Sequence, residues 1–139
     1  MSHSLARIWV HIVFGTKFRQ PLLKREFRGA LYAHLRQTFA QLKCRVLIIN
    51  GTADHVHALA MLPRNLSLAT LMQSIKGESS HWINRCSFLP SPFSWQVGYG
   101  AFSVSESIVP TVQAYIQRQE KHHRAMDYEE ELGRLESGR

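Results

Sequence analysis

Two histidines one residue apart, His55-Val56-His57, stand at the head of a run that stays apolar as far as Leu62. Side chains on a strand alternate between faces, so both imidazoles point one way while Val56, Ala58, Ala60 and Leu62 point into a core. Such a pair can share one metal ion, and by itself serves as well as two polar residues on a half-exposed strand. A second group comes late in the chain: Tyr115 and Gln119 lie four apart, hence on one helical face, and His122 and His123 continue the stripe. Packed over the histidines, that helix would present a phenol and an amide oxygen to them. Taken alone, it is an amphipathic helix with a core tyrosine. Lys17, Arg19 and Lys76 sit in a turn or on a polar helix face, suited to phosphate contact and equally to solvation. His11 reads as a satisfied, half-buried histidine, and His3, His34 and His81 receive no role.

The elements that must position these groups follow from periodicity. Arg7 to Thr16 alternates Ile8, Val10, Ile12 and Phe14 with Trp9, His11 and Val13, which predicts a central strand with both faces covered. Leu23 to Lys43 carries Phe27, Leu31, Leu35, Phe39 and Leu42 at helical spacing. Arg45 to Asn50 is a second strand, and Asn50-Gly51 signals a hairpin into the strand from His55 to Leu62. Ser67 caps a helix whose inner face runs from Leu68 to Cys86. After a Pro/Ser loop, Trp95 to Ser105 reads as a strand interrupted by Gly98 and Gly100. Ile108 to Arg124 reads as a helix capped by Ser107, with Pro110 in its first turn. The order predicts an α+β, ferredoxin-like (RNA-recognition-like) βαββαβ antiparallel sheet. One further C-terminal helix, carrying Tyr115, covers the histidine face. Residues 1–125 form one domain, and 126–139 a short acidic tail read as frayed and solvated.

At 139 residues the chain is long enough to bury a core without staples. No apolar run approaches the ~20 residues of a membrane span, and no signal-peptide pattern opens the chain. Cys44 and Cys86 form no C-x-x-C pair and are expected to be buried and reduced in a cytoplasmic protein. The net charge of +7 is uneven: Met1 to Ala125 hold a balance of +10, and Met126 to Arg139 one of −3. A basic body holding ten of the chain's twelve arginines suits a polyanion, nucleic acid first. There is no H-E-x-x-H of a zinc peptidase and no nucleophile elbow of a serine hydrolase.

Five blocks, in this order, carry a resemblance. They are His11-Ile-Val-Phe-Gly-Thr-Lys-Phe-Arg19, Asp54-His-Val-His57, Ile75-Lys-Gly-Glu-Ser-Ser80, Trp95 to Val104 and Tyr115-Ile-Gln-Arg-Gln119. Together they resemble the single-tyrosine HUH (His-hydrophobic-His) transposases of small bacterial insertion sequences, to which REP-associated tyrosine transposases are related. The resemblance implies that His55 and His57 are metal ligands with Gln119 as the third, and that Tyr115 is the nucleophile. Tyr115 would attack a DNA phosphodiester and stay linked to the 5′ phosphate. It also implies Mg²⁺ or Mn²⁺, no nucleotide cofactor, and a homodimer in which the tyrosine helix can be exchanged between subunits. The implied substrate is single-stranded DNA with imperfect hairpins. From their own positions Lys17, Arg19 and Lys76 are candidate DNA contacts, and His122 and His123 are read as contacts to a phosphate or to the metal ligands rather than as extra ligands. Two other readings stay open, a domesticated palindrome-processing relative and a non-catalytic nucleic-acid-binding module of the same fold. A plasmid replication initiator would need more domains than this length holds.

Overall fold

The most hydrophobic strand takes the middle of the sheet. In a computed structural model, which describes residues 4–119 and 128–137, β1 (Trp9–Gly15) is buried along its whole length. It pairs antiparallel with β3 (His55–Met61) on one side and β4 (Gly100–Val104) on the other. β2 (Arg45–Gly51) pairs antiparallel with β3, giving the order β2-β3-β1-β4. With α1 (Arg25–Gln41) between β1 and β2 and α2 (Leu68–Arg85) between β3 and β4, this is the expected βαββαβ arrangement.

The alternation along β1 and β3 sorts their side chains onto two cores. Val10, Ile12, Phe14, Val56, Ala58 and Ala60 face α1 and α2, where Phe27, Leu31, Leu35, Leu71, Met72 and Ile75 meet them. The opposite face is closed by two further helices, α3 (Val109–Gln117) and α4 (Tyr128–Glu136). Trp9 and Leu59 pack with Val109, Val112 and Ile116 of α3, while Val13 packs with Leu132 and Leu135 of α4. Ser67 caps α2 as expected, its hydroxyl accepting from the Thr70 amide at 3.1 Å. Among the described residues, no helix is long and apolar enough to cross a membrane.

Several local expectations are corrected. The hairpin bends at Thr52–Asp54, not at Asn50-Gly51, because Gly51 still belongs to β2. There it lets the strands approach closely, since a Cβ on Gly51 would lie 2.2 Å from the His55 carbonyl oxygen. The strand expected from Trp95 is confined to Gly100–Val104, with Trp95 forming a lone bridge to Thr16. Gly98, at φ 90°, breaks the extended run between them. α3 ends at Gln117, and its cap is Ile108 with no side-chain hydrogen bond, rather than Ser107; the part of the expected helix from residue 120 to Arg124 lies outside the described residues. His122 and His123 lie outside the described residues. Cys44 is buried, but Cys86 is exposed. The segment read as a solvated tail contains α4, whose Glu131 and Leu135 are buried.

Candidate active site

His55 and His57 project from the β3 face that α3 and α4 cover, and both are fully buried. Each has one ring nitrogen held by a neighbour. His55 Nδ1 lies 2.7 Å from Asp54 Oδ1 and 3.1 Å from Thr52 Oγ1. His57 Nδ1 lies 2.7 Å from His11 Nε2. The remaining Nε2 atoms converge on one oxygen, Glu131 Oε1, at 3.1 Å from His55 and 2.7 Å from His57. His11 is thus satisfied, as expected, but wholly buried and wired to the pair.

The charges of this cluster support one another. Burial works against an imidazolium at His55, but hydrogen bonds to Asp54 and Glu131 outweigh it and raise its pKa. Burial likewise opposes a carboxylate at Glu131, yet hydrogen bonds from His55 and His57 hold it well below the usual carboxylate range. α3 brings Tyr115 alongside, its ring centroid 6.0 Å from that of His57 and 6.1 Å from that of His11. Burial, and then the Glu131 carboxylate that hydrogen-bonds it, push the Tyr115 phenol upward. At neutral pH the resting side chain is therefore a protonated phenol.

β2 fixes the end of the tyrosine helix. Asn50 Nδ2 donates to the carbonyls of Ile116 (3.0 Å) and Gln117 (3.2 Å), in the last turn of α3. Just beyond, Gln119 is fully buried; its Nε2 lies 3.5 Å from the Tyr115 carbonyl, and its Oε1 meets no hydrogen-bond donor among the described residues. Such an orphaned acceptor is unfavourable unless something positive faces it.

The donor set fits a divalent cation. His55, His57 and Glu131 each offer a ligand atom within 4.8 Å of the others. Two imidazoles and a carboxylate are chemistry that Mg²⁺ or Mn²⁺ accepts. With Nδ1 of His55 donating to Asp54, Nε2 would give up its hydrogen bond to Glu131 and turn a lone pair to the cation, the carboxylate–histidine pattern of metal sites. If His57 turns its Nε2 lone pair to a cation, its Nδ1–H donates to His11 Nε2.

The predicted contacts fare unevenly. His55, His57 and Tyr115 come together, and Gln119 adjoins Tyr115. Lys17 and Arg19 lie in a 3₁₀ turn following β1. Lys76 donates to the carbonyls of Gln96 (2.7 Å) and Gly98 (2.8 Å), tying the loop before β4 to α2. Glu131 was missed. Within a run of three acids it has the composition of a solvated face, and its pairing with histidines 74 and 76 residues away leaves no local signal.

A four-stranded ferredoxin-like sheet with a buried His-x-His pair facing a helix-borne tyrosine defines the class. The sequence pattern of the IS200-like transposases matches residues 4–119, and the chain belongs to that family. It is 32% identical over 80 residues to the transposase for insertion sequence element IS200 of Salmonella typhimurium, covering 58% of this chain and 53% of that one. The Salmonella typhi transposase matches equally. The chain thus spans about half the length of these curated relatives. Two solved structures share its fold. A crystal structure of an inferred transposase from Deinococcus radiodurans R1 aligns with a TM-score of 0.69 at 22% identity, over 86% of this chain and 95% of that one. A REP-associated tyrosine transposase bound to a REP hairpin aligns with a TM-score of 0.63 at 16% identity, over 88% and 74%.

Proposed function

We propose that this protein is a transposase that cuts and rejoins single-stranded DNA through a 5′-phosphotyrosine intermediate. The observation that carries this reading is the convergence of His55 Nε2, His57 Nε2 and the Tyr115 phenol on the buried Glu131 carboxylate. Family membership supports the transposase class. The hairpin held by the REP-associated relative supports hairpin DNA as the substrate.

In the reaction, Tyr115 Oη forms a bond to phosphorus as the P–O3′ bond breaks, and the departing 3′ oxygen takes a proton from solvent to leave a free 3′-OH. The phenol must lose its proton as it attacks, and the Glu131 carboxylate is the acceptor already facing it. His55, His57 and Gln119 are the residues that would hold Mg²⁺ or Mn²⁺, with Glu131 adding a carboxylate. Bound there, a divalent ion supplies positive charge to the non-bridging phosphate oxygens. Asp54 and His11 orient the two imidazoles, and Asn50 fixes the helix that delivers the phenol. Because the phosphotyrosine keeps the energy of the broken ester, attack by another 3′-OH rejoins DNA without a nucleotide. The approach of Tyr115 to His57 within one chain supports a tyrosine supplied in cis, in a working unit we take to be a homodimer.

The test uses single-stranded oligonucleotides spanning palindromes that flank the gene, labelled 3′ of the expected cut and incubated with Mg²⁺ or Mn²⁺. A covalent adduct on a denaturing gel, abolished by Tyr115→Phe and by EDTA, is the expected result. Binding without any adduct in either metal would move the protein to the binding-module reading.

A further inference from the structure

β1 leaves the sheet through a turn whose shape and composition burial does not explain. Gly15 pairs in register with His55, and Thr16 donates its amide to the Asp54 carbonyl at 2.9 Å, so the turn starts beside the histidine row. Phe18 and Arg19 follow with φ of 58° and 52°, left-handed conformations that residues bearing a Cβ rarely adopt. The turn is held by the Arg19 amide on the Thr16 carbonyl (2.9 Å), the Thr16 hydroxyl on the Gln20 carbonyl (2.7 Å) and the Lys17 amide on the Ser94 carbonyl (3.2 Å). Thr16 is buried, yet none of Lys17, Phe18 and Arg19 is, and Phe18 is 78% exposed. Strain retained in a firmly pinned turn, displaying an aromatic ring to water, points to function rather than packing. The Lys17 ammonium lies 5.5 Å from the Phe18 ring centroid, and Arg19 adds a second cation.

We propose that Phe18 is a stacking platform for an unpaired base of the strand entering the His55–His57 site, with Lys17 and Arg19 on the flanking phosphates. This inference rests on the single-strand reading above. Every base has a π-face, so an exposed ring beside cations is the sequence-tolerant way to hold a single strand. Base edges give the alternative, readout by hydrogen bonds, nothing to meet on a phenyl ring.

The experiment measures binding of a fluorescent mixed-sequence single strand of about 20 nucleotides to the full chain by anisotropy, across a salt series. Phe18→Ala and Phe18→Gly are expected to weaken binding about 5- to 100-fold, while Phe18→Trp retains it. Because glycine accepts a positive φ, Phe18→Gly is expected to melt no lower than the native protein. Lys17→Ala should reduce the salt slope by about one. Phe18→Ala binding within about twofold of native would overturn the inference. So would loss of binding accompanied by a lowered melting temperature in both variants. Self-association that disappears with Phe18 would assign the turn to a protein contact instead. A native chain that forms the Tyr115 adduct while Phe18→Ala binds normally would leave the reaction standing and the platform refuted. A native chain that binds no single strand would overturn both.

Discussion

Glu131 is the only charged group by which α4 meets the histidines among the described contacts, and removing its charge is the most informative perturbation. Breaking one side of a buried ion pair costs on the order of 3–5 kcal/mol when the structure cannot relax. Here it can, because α4 otherwise meets the sheet face through Leu132 and Leu135, packed on Val13. Burial of a leucine contributes roughly 1.5–3 kcal/mol, so the ion pair is of the same order as the two apolar contacts together. Undocking of α4 is then the less costly response to Glu131→Gln. Hydrogen exchange on 128–137 should quicken by about 10²-fold or more, while amides of β1 and β3 keep their protection. In the native protein Mn²⁺ should slow exchange in α4 further, and in Glu131→Gln it should not. Unchanged α4 protection in the variant would refute the claim that the carboxylate holds the helix down. Equal loss of protection in the sheet would show that α4 is part of the main core rather than a docked cover.

Gly51→Ala should destabilise by about 3 kcal/mol or more in urea unfolding, since its Cβ would meet the His55 carbonyl oxygen at 2.2 Å. A midpoint within error of native would show that the hairpin adapts easily. Asn50→Ala removes two donations to the end of α3, for a loss of about 1–2 kcal/mol. Its larger effect should be on the rate of adduct formation, through a less fixed Tyr115, with single-strand affinity unchanged. His34 stacks on Trp82, and burial lowers its pKa from 6.5. The unfolded chain therefore takes up that proton first, so native stability is lost as pH falls below 6.5 and is present above it. His34→Gln should flatten this part of the pH dependence, followed from about pH 7.5 to about pH 5; an unchanged slope would refute the assignment.

What could be read in advance follows the range of the forces involved. Alternation in β1 and β3 is a local pattern, and it correctly placed His55 and His57 opposite Val56 and Ala58. Ser67 as a cap depends on one amide three residues away, and it too was legible. The hairpin failed because Asn50-Gly51 satisfies two rules at once: it is good turn chemistry, and it is also what close strand approach and an end-of-helix donor demand. Tertiary contact decided for the second. Glu131 and the His11–His57 contact span 74 and 46 residues, beyond any periodicity.

The groups around the candidate centre come from β1, β3, α3 and α4, so His11 and Glu131 stand 120 positions apart in the chain. Long-range contacts of this kind form late in folding, after the local helices and the β2–β3 hairpin. A partly folded chain can hold its strands and still lack a poised phenol and a closed donor set. If the protein breaks DNA strands as proposed above, such intermediates would be chemically silent, and competence to cut would be a property of the finished fold alone.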